Sequence, residues 1–282
     1  MQSVGVVGAG TMGSGIARVC ASSGYHTLLF DAHAALAQRA LHSIENDLAE
    51  ETAKGKTTSR ESEATLSRLK VVDTIESVKA DLIIEAVVEK LLVKQDLFVQ
   101  LEKVNEGQAI LATNTSSIAV TQIAAAVRDP SRCIGLHFFN PAHRMKLVEV
   151  IGGAQTSTAV SGLMKEFVLT LGKVPVLAKD SPGFIVNRVA RHYYVESLKL
   201  LEENVADVET IDRLLQATGF RMGPFRLMDL IGVDVNFAVT ASLYEAFHQD
   251  PKFRPSRIQA QKVSAGELGK KTGKGFYDYT KN

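Results

Sequence analysis

The sequence predicts two domains of different class: an α/β domain with a mostly parallel sheet over residues 1–183, and an all-α domain over 184–282. Three observations carry this. A short β-branched run, Val4, Val6 and Val7, leads through a glycine-rich turn directly into a helical pattern. Apolar runs and helical periods then alternate as far as residue 177, the order that builds a parallel sheet covered by helices. Beyond the break Asp180-Ser181-Pro182-Gly183-Phe184, no run has strand character until the last few residues, and four segments repeat with helical period.

At 282 residues and 45% hydrophobic content, the chain has room for about two domains and a sizeable core. Its 32 basic and 31 acidic residues leave a formal net charge of +1, so no global field favours nucleic acid or a membrane surface. An anionic ligand has to be held by local groups. The first residues enter a strand pattern without a basic leader, and no apolar run reaches about 18 residues, so the expected location is the cytoplasm. Cys20 and Cys133 sit among apolar neighbours, as reduced buried thiols do. With neither CxxC nor HExxH, no metal is expected.

In the turn Gly8-Ala9-Gly10-Thr11-Met12-Gly13, each glycine of the GxGxxG has its own task. Gly8 makes the tight turn, Gly10 lets the backbone approach a pyrophosphate, and Gly13 lets the helix over 14–22 pack closely on the strand. The motif alone is a weak signal, but here Gly24 ends the helix and a second strand over 27–30 finishes at Asp31. An acid there accepts hydrogen bonds from the adenosine ribose and repels a 2′-phosphate, so the expected cofactor is NAD rather than NADP.

Leu36, Ala40, Leu41, Ile44 and Leu48 predict a helix over 34–54, and the polar stretch KGKTTSRESE separates it from the next apolar run. Lys54 and Lys56 suit either an anionic ligand or a solvated basic loop. Strands are expected over 69–72 and 81–88. Glu85 and Glu89 close the second of these, at the carboxyl end of a strand, where an open sheet binds its ligand. Lys94 lies in the first turn of the next helix, over 91–104, where the helix dipole offers a lysine nothing; a ligand-facing role is one explanation and chance the other. A strand over 109–112 ends in Thr113-Asn114-Thr115-Ser116-Ser117, polar residues that bind ligand or cap the next helix, for which one serine suffices.

The stretch RCIGLHFFNPAHRMKLVEV places His137 at the end of one apolar run and Glu149 inside another, on either side of the turn Asn140-Pro141. Brought together at adjacent strand ends they make a general base with an orienting carboxylate; apart, they are a core histidine and a solvated glutamate. A helix over 158–171 and a strand over 174–177 complete the first domain. The second is expected to hold helices over 185–201, 208–218, 228–247 and 257–265. Asn187 and Arg188 occupy the first turn of the first of these, where a polar side chain can face a cleft between domains. Its apolar stripe (Val186, Val189, Tyr193, Leu198, Leu201) reads as core, and so small and apolar a helical domain suits pairing with a second copy as a homodimer. The closing segment KKTGKGFYDY leaves open a phosphate contact through its lysines and an anchoring role for its aromatics, while the near-neutral charge argues against nucleic acid.

Taken together, GVVGAGTMGSGIA, DLIIEAVVE, NTSS, GLHFFNPAHRMKLVEV, DSPGFIVNR, GPFRLMDLIGVDV and GKKTGKGFYDY resemble, in matching order over nearly the whole chain, the L-3-hydroxyacyl-CoA dehydrogenase family. The likeness is greatest to its short bacterial 3-hydroxybutyryl-CoA members. It implies a Rossmann-like first domain that binds NAD, and reversible oxidation of an L-3-hydroxyacyl-CoA to the 3-ketoacyl-CoA. The family's catalytic histidine then falls on His137, its glutamate partner on Glu149, the serine at the reacting oxygen on Ser116 and the asparagine on Asn187. Cofactor contacts fall on Gly8, Gly10, Thr11, Met12, Gly13, Asp31, Glu89, Lys94 and Asn114. The acyl-CoA runs along the helix and basic loop after the second strand, so that Lys54 and Asn140 join Ser116 and Asn187 as substrate contacts.

Two departures stand out. Glu50 and Glu51 occupy positions where relatives often carry a lysine, and the turn reads HFFNPAHRM where many relatives read HFFNPAPVM. His143 and Arg144 therefore either favour a polar or carboxylated acyl group, with Arg144 as a substrate contact, or face solvent. Two other readings fit the same scaffold: a dehydrogenase of a free hydroxy acid such as gulonate or carnitine, and a non-catalytic NAD-binding protein. The intact set Ser116, His137, Glu149 and Asn187 argues against the last.

Overall fold

In the computed structural model, which describes residues 1–280, the chain divides into two compact units, Met1–Ser181 and the remainder from Pro182. The first unit is an eight-stranded sheet. Its strands are β1 (Ser3–Val7), β2 (His26–Phe30), β3 (Leu69–Val71), β4 (Leu82–Glu85), β5 (Ile110–Thr113), β6 (Cys133–Phe138), β7 (Leu147–Gly152) and β8 (Val174–Lys179). They lie in the order β3-β2-β1-β4-β5-β6-β7-β8, so the first six repeat the 3-2-1-4-5-6 order of a doubly wound dinucleotide-binding sheet. All neighbours are parallel except β6 and β7.

The central strands are short apolar runs because both of their faces are covered. In β4, Leu82 and Ile84 join one buried cluster and Ile83 the other; in β5, Ile110 and Ala112 take the first side and Leu111 the second. This is the period of two expressed in central strands with no solvent face. The first cluster is closed by α1 (Thr11–Ser22), α2 (Ala34–Ala53) and α6 (Thr158–Thr170), through Ile16, Ile44 and Phe167. The second is closed by α4 (Leu91–Val104) and α5 (Val120–Ala124), through Phe98, Leu101 and Ile123. Cys20 and Cys133 are buried free thiols, and burial pushes both up to about 12.

Several boundaries differ from expectation. The strand over 81–88 stops at Glu85, because the Val87 amide turns back to the Glu85 carboxylate at 2.7 Å and Val88 leaves for solvent, 61% exposed. The polar stretch after residue 54 is only partly loop. From Ser59 to Arg68 it forms α3, opened by a capping box in which Thr58 and Glu61 satisfy each other's backbone amides. Neither Ser116 nor Ser117 caps α5, whose N-cap is Ala119; the Asp180 carboxylate accepts from the Val120 and Thr121 amides at 2.9 and 2.7 Å instead.

The second unit comprises α7 (Val186–Glu202), α8 (Val208–Ala217), α9 (Pro224–Ile231), α10 (Val233–Ala246) and α11 (Arg257–Ser264). The single helix expected over 228–247 is broken at Gly232, whose φ of +106° lies outside helical space. Tyr194, Leu198, Ile211, Phe225 and Met228 form its core. The closing aromatic segment is anchored by acids: Asp229 accepts from the Phe276 and Tyr277 amides and the Tyr279 hydroxyl, and Asp212 from the Tyr277 hydroxyl. Lys271 and Lys274, considered for phosphate, pair with Asp234 and Glu267.

Candidate active site

The carboxyl ends of β1 and β2 meet around the glycine-rich turn. A side chain on Gly8, at φ +101°, would lie 2.6 Å from the Ala86 carbonyl oxygen, and one on Gly13 would fall 1.7 Å from the Gly8 oxygen, so the turn closes only with glycine at both. At Gly10 the opposite holds: a Cβ there would meet nothing within 4 Å. Gly10 is also the N-cap of α1 and supplies no capping side chain, so the helix N-terminus faces open space. Thr11 is exposed and Met12 half-buried beside it. Asp31 is tied into the same turn, its two carboxylate oxygens accepting from the Ala9 and His33 amides at 2.8 and 2.9 Å. This arrangement fits a dinucleotide: amides for its diphosphate and a fixed carboxylate for its ribose.

Beyond β4 lies an internal charge cluster. Lys94, 1% exposed, binds the fully buried Glu85 at 2.6 Å and Glu89 at 3.2 Å. Its ammonium is thus spent inside the protein, and the ligand-facing role considered for it passes to Glu89, whose side chain is 35% exposed. One Glu89 oxygen accepts from the Thr115 hydroxyl, the Ser116 and Ser117 amides and the Ser117 hydroxyl, at 2.6 to 3.1 Å. Burial opposes its charge, but Lys94, Thr115 and Ser116 outweigh that and hold the carboxyl below the usual carboxylate range. Glu89 therefore shapes the loop that carries Asn114 and Ser116. Asn114 in turn accepts from the Phe138 amide at 2.9 Å, joining this loop to the end of β6.

At that end, His137 and Glu149 are direct partners in the antiparallel register of β6 and β7. His137 Nδ1 lies 2.7 Å from Glu149 Oε2, with the two residues 6% and 0% exposed. The Phe139 ring packs 4.5 Å from the imidazole, centroid to centroid. The adjoining turn, with a cis Asn140-Pro141 bond, is pinned by Lys173, which donates to the Ala142 and Met145 carbonyls at 2.6 and 2.7 Å. Nothing in the sequence marks Lys173, whose role is visible only in space.

A groove of about 370 Å³ runs between the first turns of α1, the helix α2 and residues 140–143. Exposed Asn140 and half-buried His143 line it, together with Arg18, Arg39 and Asp47. Burial, then the neighbouring Arg18 and Arg144, hold His143 below the ordinary imidazole range, which favours the neutral ring. Arg144 itself is exposed, as is Lys54, which pairs with Glu50. Arg18, buried and bound to Glu51, has no signal in the sequence, because it sits on a helix face that otherwise reads as core. In the second unit, Asn187 is half-buried in the first turn of α7, just after Phe184 at φ +49°.

The family model described as "3-hydroxyacyl-CoA dehydrogenase, NAD binding domain" matches residues 3–181, and the one described as its C-terminal domain matches 183–279. The chain is 50% identical to the 3-hydroxyadipyl-CoA dehydrogenase of Escherichia coli K12 over 99% of its own length, but spans only 59% of that relative. It is 40% identical to the 3-hydroxybutyryl-CoA dehydrogenase of Bradyrhizobium diazoefficiens, covering 99% of this chain and 96% of that one. The crystal structure of (S)-3-hydroxybutyryl-CoA dehydrogenase from Ralstonia eutropha superposes with a TM-score of 0.96 at 38% identity, covering both chains fully.

Replacing Lys94 by methionine leaves the buried Glu85 without a countercharge and is expected to cost about 3–5 kcal/mol of stability in urea unfolding. A loss under about 1 kcal/mol would show that the cluster is not held by this ion pair.

Proposed function

Since the chain belongs to the 3-hydroxyacyl-CoA dehydrogenase family, we propose that it oxidises the 3-hydroxyl of an L-3-hydroxyacyl-CoA to the ketone, reversibly and with NAD. The observation that carries this reading is the buried His137–Glu149 pair beside a turn that fits a dinucleotide. With Nδ1–H donated to the carboxylate, the neutral imidazole has its lone pair on Nε2, the atom that takes the hydroxyl proton. Glu149 stabilises the imidazolium so formed through a charge-assisted hydrogen bond and keeps the ring in one orientation. NAD, when bound, supplies the hydride acceptor at carbon 3.

We assign the helix N-terminus at Gly10, Thr11 and Met12 to the diphosphate and Asp31 to the adenosine ribose. Glu89 and Asn114 border the nicotinamide half, with Lys94 acting through Glu89. Ser116 holds the reacting oxygen and Asn187 the thioester, a positioning effect. The CoA arm follows α2 past Asn140 toward Lys54, and exposed Arg144, beside the catalytic turn, is a further substrate contact. 3-Hydroxybutyryl-CoA is the simplest substrate of this class, and the relative named for 3-hydroxyadipyl-CoA brings a carboxylated acyl chain within range. We place the enzyme in the cytoplasm; among the described residues, no single helix is long and apolar enough to cross a membrane. Val189, expected in the core stripe of α7, is instead exposed, and with the exposed Leu230 and Val235 it supports a homodimer built on the helical unit.

Reduction of NAD with 3-hydroxyacyl-CoA thioesters, and not with the corresponding free acids, is the expected result of a side-by-side assay; turnover of the free acids alone would overturn the proposal. His137→Ala should lower kcat roughly 10²–10⁴-fold. Glu149→Gln should also lower kcat while the NAD dissociation constant stays within about twofold, whereas selective loss of NAD binding would point to a cofactor role for the pair. Light scattering should give the mass of two chains, and a stable single-chain mass would refute the dimer.

A further inference from the structure

Arg191 is a cation without an acid. It lies one helical turn beyond Asn187 on α7 and is 3% exposed. Its Nη1 donates to the Asn236 carbonyl at 2.9 Å and to the Thr240 hydroxyl at 3.0 Å, both on α10. Its Nε donates to the Asn187 carbonyl at 3.3 Å, and the guanidinium stacks 4.7 Å over the Tyr194 ring. Every one of these partners is neutral. Nη2 makes no hydrogen bond to any described residue, and no described carboxylate pairs with the group. Asn236, itself 1% exposed, adds a second donor in want of an acceptor, since its side-chain nitrogen is buried and unpartnered.

Buried guanidinium groups are ordinarily paired, because the desolvation they suffer is offset only by a countercharge. Burial does depress Arg191, to about 10, yet that leaves it fully charged near neutral pH. Of the other buried cations, Lys94 has Glu85 and Glu89 and Arg18 has Glu51, while Lys173 is held by the Ala142 and Met145 carbonyls beside the catalytic turn. At Arg191 no acid is present and Nη2 makes no hydrogen bond to a described residue, which leaves it able to take an anion brought from outside.

Its position says which anion. Residues i and i+4 of a helix lie on one face about 6 Å apart along the axis, so Arg191 projects from the same face of α7 as Asn187. On the reading of Asn187 as a thioester contact, a carboxylate a few carbons beyond the carbinol spans that distance, whereas the CoA phosphates lie at the far end of the pantetheine arm. We propose that Arg191 is a specificity-determining residue that receives the terminal carboxylate of a dicarboxylic 3-hydroxyacyl-CoA. Nη2 and the Asn236 amide are its donors to that carboxylate, Nη1 and Nε being held by neutral partners on α7 and α10. This inference rests on the dehydrogenase reading above.

The test compares two substrates of equal length, 3-hydroxyadipyl-CoA and 3-hydroxyhexanoyl-CoA, which differ only in a terminal carboxylate or methyl. Wild-type enzyme should favour the first in kcat/KM by at least about tenfold. Arg191→Met should lower kcat/KM for the carboxylated substrate about 10²-fold, mostly through KM, and change the other less than about threefold, with Arg191→Lys in between. A parallel fall on both substrates would make Arg191 a structural staple between α7 and α10 and overturn the proposal. Should the variants fail to fold, inhibition of wild-type enzyme by unreactive adipyl-CoA and hexanoyl-CoA decides the matter, and equal inhibition constants reject it. Wild-type enzyme that turns over no acyl-CoA at all would instead reject the dehydrogenase reading.

Discussion

Everything proposed for this protein depends on one pairing: His137 opposite Glu149 where β6 and β7 run antiparallel. In a parallel pair of strands, two such residues would have to come from segments separated by a crossover connection. Here the reversal of direction lets a short turn place them face to face, and the sheet ladder, rather than side-chain flexibility, sets their 2.7 Å separation. Burial on both faces of the sheet removes water from around the pair, which strengthens the hydrogen bond between them. Lys173 finishes the arrangement by fastening the turn through two carbonyls, so the loop beside the histidine has little freedom to move.

The second organising theme is how the first unit handles charge inside. Glu85 sits fully buried at the end of β4 and is satisfied by Lys94, the Thr113 hydroxyl and the Val87 amide. Lys94 shares its charge with Glu89, and Glu89 passes the constraint to the loop from Thr115 to Ser117. A buried ion pair is a weak source of stability by itself. What it provides here is position: the ends of β4 and β5 and the loop that bears Asn114 and Ser116 form one hydrogen-bonded unit. Asn114 extends that unit to the backbone of β6, next to His137.

The helical unit uses acids differently. Asp212 and Asp229, each 1% exposed, accept backbone amides and tyrosine hydroxyls, and so bind the terminal aromatic segment to α8 and α9. Burial raises Asp229, and the Phe276 and Tyr277 amides and the Tyr279 hydroxyl work against that rise. Arg191 is the exception in this unit, a buried charge left to neutral partners. Acids with amide and hydroxyl donors thus stand beside a cation with no acid, and the proposed carboxylate contact starts from that difference.

Much of this is legible in order along the chain. The glycine turn, Asp31 and all eight strands can be read from consecutive residues, because tight turns and period-two burial are local requirements with local signatures, whereas the residues alone leave His137 and Glu149 open and the family resemblance pairs them. The helix from Ser59 escapes such a reading although its capping box is present in the letters, since its polar composition conceals the period; the break at Gly232 is likewise written in the sequence, but apolar residues on both sides of it mask the interruption. Other features have no signature to find. That Asp180 caps a helix 60 residues earlier, that Lys94 turns inward to Glu85, and that Arg191 lacks a carboxylate are facts about which charge meets which. The sequence alone determined the fold class and the residue types available for chemistry, because backbone geometry and alternating burial constrain neighbours in the chain. Only the tertiary structure decided the partner of each buried charge, because electrostatic pairing acts through space between groups whose separation in the chain carries no information.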